Sequence, residues 1–145
     1  MSQQYCTFVL DGHLFGVPVS SVQEVLKSQE VTPVPLAPHE VSGLINLRGQ
    51  IVTTIDLRSR LGIPAREEEA PSVCVVVRTA DGSAVSLVVD EIGDVLEPSQ
   101  ESFEAAPETV PSRIRVMVTG VCKLDTELML ALDTELAVTL DGEAA

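Results

Sequence analysis

Apolar and polar positions in this chain fall into short runs with a period near two, broken at intervals by turn residues. Tyr5–Leu10 (YCTFVL) and residues 14–19 flank Asp11-Gly12, a pair that closes tight hairpins because both residues tolerate positive φ. Val41–Leu47 and residues 50–57 flank Arg48-Gly49 in the same way. Val73–Arg78 and residues 83–89 flank Asp81-Gly82; residues 114–124 and Leu128–Leu132 flank Asp125-Thr126. Helical signals are brief. Ser21 and Glu24 form an S-x-x-E capping box around Val22, Val25 and Leu26, which predicts a short helix, and residues 134–140 predict a closing one. Three prolines hold 32–39 (TPVPLAPH) extended, 98–111 is a second proline-bracketed connection, and the acidic 62–72 (GIPAREEEAPS) reads as a surface loop. The pattern predicts a mainly β protein, a barrel or sandwich with minor helices.

The pattern also repeats. Residues 14–26 (LFGVPVSSVQEVL) match 84–96 (AVSLVVDEIGDVL), with Val19 over Val89, Val22 over Ile92 and Val25 over Val95. Residues 43–56 (GLINLRGQIVTTID) match 120–133 (GVCKLDTELMLALD). The block order predicts a duplicated β unit, hence two similar small barrels related by pseudo-symmetry within one unit spanning 1–145. On this alignment Asp90 overlies Ser20 and caps a helix, with Asp94 in its first turn. Arg48-Gly49 overlies Asp125-Thr126, so closing the hairpin does not itself demand an arginine at 48.

Composition narrows the function. The 145 residues carry 22 acidic against 9 basic side chains, a formal net charge of −13, which repels nucleic-acid backbones and anionic lipid alike. Aromatics make up 3% with no Trp, leaving an aliphatic, Val-rich core and no stacking platform for single strands. No apolar run approaches the 18 or so residues of a membrane span, and no secretory leader pattern opens the chain, which predicts a cytoplasmic protein. Cys6, Cys74 and Cys122 sit among apolar neighbours without metal-site spacing and read as buried thiols. His13 and His39 have no nucleophile or carboxylate at telling spacing, no phosphate-cradling glycine motif occurs, and Glu67-Glu68-Glu69 lacks the alternation of a calcium loop. Catalytic, cofactor and metal roles are therefore not expected. What remains is binding, either at an aliphatic groove between the lobes or at barrel edge strands. A small-molecule-binding barrel sensor is the alternative from another class, and the scarcity of convergent polar groups counts against it.

From about Tyr5 to residue 140 the chain resembles the CheW family of bacterial chemotaxis coupling proteins. The resemblance is carried by YCTFVLDGHLFGVPVSSVQEVL, by VTPVPLAPHEVSGLINLRGQIVTTIDLR and by LVVDEIGDVL. It implies two SH3-like five-stranded β-barrel lobes and a non-enzymatic adaptor bridging chemoreceptor cytoplasmic tips to the regulatory domain of a CheA-type histidine kinase. Relatives in the family serve type IV pilus, gliding or other sensory pathways. Carried over by position, the receptor-binding residues are Val22, Glu24, Arg48, Ile92 and Val95. Asp56 and Arg58 match the pattern as structural residues, expected to pair locally with Arg48 or with each other. Ser86 stands where the family often has glycine, Pro18 interrupts a strand, and the 62–72 loop is unusually acidic. No fused receiver or kinase module is expected.

Overall fold

A computed structural model describes residues 3–27, 30–65, 71–125 and 127–139. The acidic run at 67–69, Thr126 and residue 140 lie outside the described residues. Two sheets dominate. Strands β1 (Tyr5–Leu10), β2 (His13–Pro18), β3 (Val22–Lys27), β4 (Val41–Leu47) and β5 (Gln50–Asp56) come first, then helix α1 (Leu57–Leu61). Strands β6 (Val73–Arg78), β7 (Ala84–Val89), β8 (Glu91–Leu96) and the two-residue β9 (Phe103–Glu104) follow. Helix α2 (Ser112–Arg115), strands β10 (Val118–Lys123) and β11 (Leu128–Leu132), and helix α3 (Thr134–Val138) complete the fold.

The six-stranded sheet runs β8-β1-β2-β11-β10-β9, and the five-stranded sheet β3-β6-β7-β5-β4. Each lobe therefore combines one hairpin from one half of the sequence with strands from the other half, β3, β4 and β5 in the five-stranded sheet and β8, β9, β10 and β11 in the six-stranded one. The parallel seams β5–β7 and β11–β2 join the halves.

The repeat is visible element by element. A shift of 70 carries β2 and β3 onto β7 and β8; a shift of 77 carries β4, β5 and α1 onto β10, β11 and α3. Both β4 and β10 have a register irregularity at the matching glycines, Gly43 and Gly120. Asp56 and Asp133 each cap the following helix, accepting from Arg58 N and Leu136 N, with φ of −79° in both cases.

Burial follows the alternation of the strands. The largest core lies between the sheets and is shared: Phe8 and Phe15 stack at 6.2 Å on one side, with Ile55, Val75, Leu87 and Val89 on the other. Outside it each lobe has a smaller core of its own, Ile45, Leu47, Val52 and Val76 in one, Cys122, Met129 and Ala131 in the other. All three cysteines are free thiols and buried.

The structure corrects the sequence reading at several points. Val22–Lys27 is an edge strand, not a capped helix, and only Val19–Ser21 before it makes a 3-10 turn. The cause is a β-bulge: Val22 pairs with Val77 but Glu24 with Val76, so one extra residue is inserted in β3. That insertion spaces Val22 and Val25 three apart and imitates a helical period. The same happens in β8, where Ile92 pairs with Phe8 and Val95 with Cys6. Asp90 therefore caps no helix, and Asp94 lies in a strand. The strand expected at 114–124 starts only at Val118, because Pro111 opens α2, and α1 begins at Leu57, which the reading had placed in a strand.

Candidate functional site

Arg48 occupies the first central position of the β4–β5 turn, at φ 53°, with Gly49 at φ 88°. Asp11 and Gly12 repeat this geometry at φ 50° and 80° in the β1–β2 turn. Such turns favour Asn, Asp or Gly at that position, so arginine is a poor local choice. Asn46 compensates in part, its Oδ1 accepting from Gly49 N at 2.8 Å.

The side chain accounts for the residue. Its Nη1 and Nη2 donate to Glu24 Oε2 and Oε1 at 2.7 and 2.6 Å, a parallel two-bond pair. Glu24 lies on β3 and Arg48 beyond β4, the two outer strands of the five-stranded sheet, so the pair bridges the two edges of that sheet. The guanidinium remains largely solvent-exposed. Its hydrogen bonds hold the Glu24 carboxyl below its ordinary range, and Glu24 in turn raises the arginine.

The other residues carried over from the resemblance lie as follows. Val22 is half-buried and packs against the shared core. Ile92 and Val95 are 40% and 57% exposed on β8, the outermost strand of the six-stranded sheet. Every residue from Glu91 to Val95 is exposed. The strand is nonetheless seated closely on its neighbour: Thr7 donates to the Asp94 carbonyl, and a Cβ on Gly93 would stand 2.5 Å from Thr7 Oγ1.

Asp56 and Arg58 meet each other through the helix cap, but neither pairs with Arg48 among the described residues. Asp56 caps α1, accepting from the Arg58 backbone, while the Arg58 guanidinium turns away from Arg48 to Asp90. Arg58 Nε and Nη2 reach Asp90 Oδ1 and Oδ2 at 2.9 and 2.5 Å, and Nη1 reaches the Pro64 carbonyl at 2.7 Å. Asp90 Oδ2 also accepts from Asp11 N at 2.9 Å. The hydrogen bonds to Asp90 raise the arginine's pKa against the opposing effect of partial burial. Asp90 is thus a hub that the helix-cap reading missed; the signal in the sequence was its position between two strands.

Two surface features had no clear sequence signal. Leu36 is fully exposed (104%) at φ 64°, in a turn where Ala37 N meets the Val34 carbonyl. A cavity of about 320 Å³ opens beside Leu14, Phe15, Val110, Ile114, Leu128 and Leu130. Among the described residues no group of three His, Cys, Asp or Glu side chains is placed to hold a metal, and no helix is long and apolar enough to cross a membrane.

Sheet order and lobe closure define a two-lobed β protein built from a pair of SH3-like barrels. Residues 4–141 match the family model described as a CheW-like domain, and the chain belongs to that family. It is 29% identical over 132 residues to the chemotaxis protein CheW of Treponema pallidum, covering 89% of this chain and 78% of that protein. It is 30% identical over 127 residues to CheW of Bacillus subtilis, covering 88% and 81%. The crystal structure of the scaffolding protein TtCheW from Thermoanaerobacter tengcongensis superposes with a TM-score of 0.88 at 29% identity, covering 100% of this chain and 98% of that one.

Proposed function

We propose that the protein is a cytoplasmic adaptor that couples chemoreceptor tips to the regulatory domain of a CheA-type histidine kinase, acting by binding rather than catalysis. Family membership gives the class. The observation that supports the reading within this chain is Arg48: a cation in a backbone conformation that disfavours it, salt-bridged to Glu24 and still open to solvent. The duplicated hairpin, β10 with β11, carries Asp125 where this one carries the arginine, so the residue serves the surface. In this reading Glu24, Arg48, Ile92 and Val95 face the receptor, Val22 sets the position of β3 beneath them, and Asp56 and Arg58 keep the lobes in register.

The test is co-purification of the full chain with the cognate kinase's regulatory domain and with a soluble receptor-tip fragment. Retention of both, weakened by Arg48→Ala without loss of folding, is the expected result. Binding to neither would reject the adaptor reading.

A further inference from the structure

The duplication exposes a charge that one lobe neutralises and the other does not. Glu24 on β3 corresponds to Asp94 on β8, and Arg48 corresponds to Asp125. In the first lobe the carboxylate is held by two short hydrogen bonds from arginine. In the second, the position of that arginine carries another acid. Lys123, two residues earlier, pairs with Glu104 at 3.4 Å. From residue 90 to 108 the chain has seven acidic side chains and no lysine or arginine. Asp94 and Glu91 are exposed, and neither carboxylate has a side-chain partner among the described residues. Between and beside them stand the exposed Ile92 and Val95.

We propose that β8 docks a helix carrying a lysine or arginine beside apolar side chains, and that this cation takes on Asp94 the place that Arg48 takes on Glu24. The inference rests on the receptor reading above and specifies its partner: the receptor-tip helix that meets β8 is basic where it crosses Asp94. Charge complementarity commits the face to such a partner, because an acidic helix here would meet carboxylates that no cation offsets among the described residues. Apolar contact with Ile92 and Val95 excludes water, and Asp94 selects the sign of charge and orients the helix. The tight seating of β8 on Thr7 presents both elements on a rigid strand, so little ordering accompanies binding.

The experiment measures binding of a soluble receptor-tip hairpin to the full chain by fluorescence anisotropy, in potassium chloride from about 50 to about 300 mM, where screening of exposed charges changes strongly. Asp94→Asn weakens binding by roughly three- to fivefold at low salt and flattens the salt dependence. Asp125→Arg rebuilds within the second lobe the ion pair of the first; it weakens binding similarly while leaving the melting temperature unchanged or raised. Melting curves of each variant separate a lost contact from a lost fold. Wild-type affinity and salt dependence in both charge variants, with Ile92→Ala still weakening the complex, would overturn the cation inference and leave the receptor reading standing. Wild-type affinity in Ile92→Ala and Val95→Ala as well would remove β8 from the receptor interface, and no binding by the wild-type chain would reject the adaptor reading itself.

Discussion

Arg58 holds both carboxylate oxygens of Asp90 from a helix that belongs to the other lobe, at 2.9 and 2.5 Å, with its side chain nearly nine-tenths shielded from solvent. Asp90 sits where the chain leaves β7 in one sheet to begin β8 in the other. The pair therefore fixes the crossover between lobes. Truncating Arg58 to alanine leaves a shielded carboxylate without its cation and is expected to lower stability by about 2–4 kcal/mol in urea unfolding. A loss under about 0.5 kcal/mol, the range of ordinary surface changes, would show that the crossover is held by other means.

Arg48 is expected to behave in the opposite way. Its side chain is exposed, and its backbone conformation suits glycine better. Arg48→Gly should leave the melting temperature within a few degrees of wild type, or raise it, while weakening co-purification with the receptor tip. Unfolding of this variant at ordinary temperatures would make the residue a fold determinant.

Acid should dissolve the contribution of the same pair. Arg48 depresses the folded carboxyl of Glu24 below its unfolded value. Its stabilising effect is then complete above the unfolded pKa and is lost as pH falls through the folded one. The stability difference between wild type and Arg48→Met should be constant from neutral pH down to the ordinary carboxylate range, then vanish in stronger acid. A difference that persists at the most acid pH would implicate a group other than Glu24.

Gly43 and Gly120 occupy matching places yet differ in what surrounds them. A Cβ on Gly43 would stand 2.2 Å from the Thr32 carbonyl oxygen, at φ 148°, whereas on Gly120 the first contact is Glu104 O at 3.1 Å. Gly43→Ala is expected to cost about 3 kcal/mol or more and Gly120→Ala well under half of that. Equal losses in a side-by-side melt would mean that the two bulges carry the same constraint.

Thr54 and Ser86 are paired in register across the parallel seam, and both hydroxyls are fully buried without a hydrogen-bond partner among the described residues. Their counterparts, Ala131 and Gly16, are apolar. Thr54→Val should therefore raise stability by about 1 kcal/mol, read from the denaturation midpoint. A fall instead would show that the hydroxyl is satisfied in solution.

Strand and hairpin positions were legible in the sequence because the alternation of Cys6, Phe8 and Leu10, or of Val75 and Val77, is set by one face meeting the shared core. The bulged edge strands were not. Val22 with Val25, and Ile92 with Val95, take helical spacing from an inserted residue, and only the pairing with β6 and β1 reveals it. The carried-over site came through unevenly for a related reason. Arg48 stood out as a cation in a turn, but its bond to Glu24 depends on bringing opposite sheet edges together, and the Arg58–Asp90 pair joins residues 32 apart across two lobes. Neither contact leaves a local pattern.

The distribution of strands between the sheets has a consequence for how such a molecule is assembled. Each half of the chain lends its first hairpin to the lobe that the other half completes, which is the arrangement of a domain-swapped dimer whose two copies have been joined end to end. Neither lobe can be cut out as a continuous segment. A half-length chain ending after α1 would leave its hairpin and its three remaining strands each without the other's edge, and it would bury its core only by finding a second copy of itself.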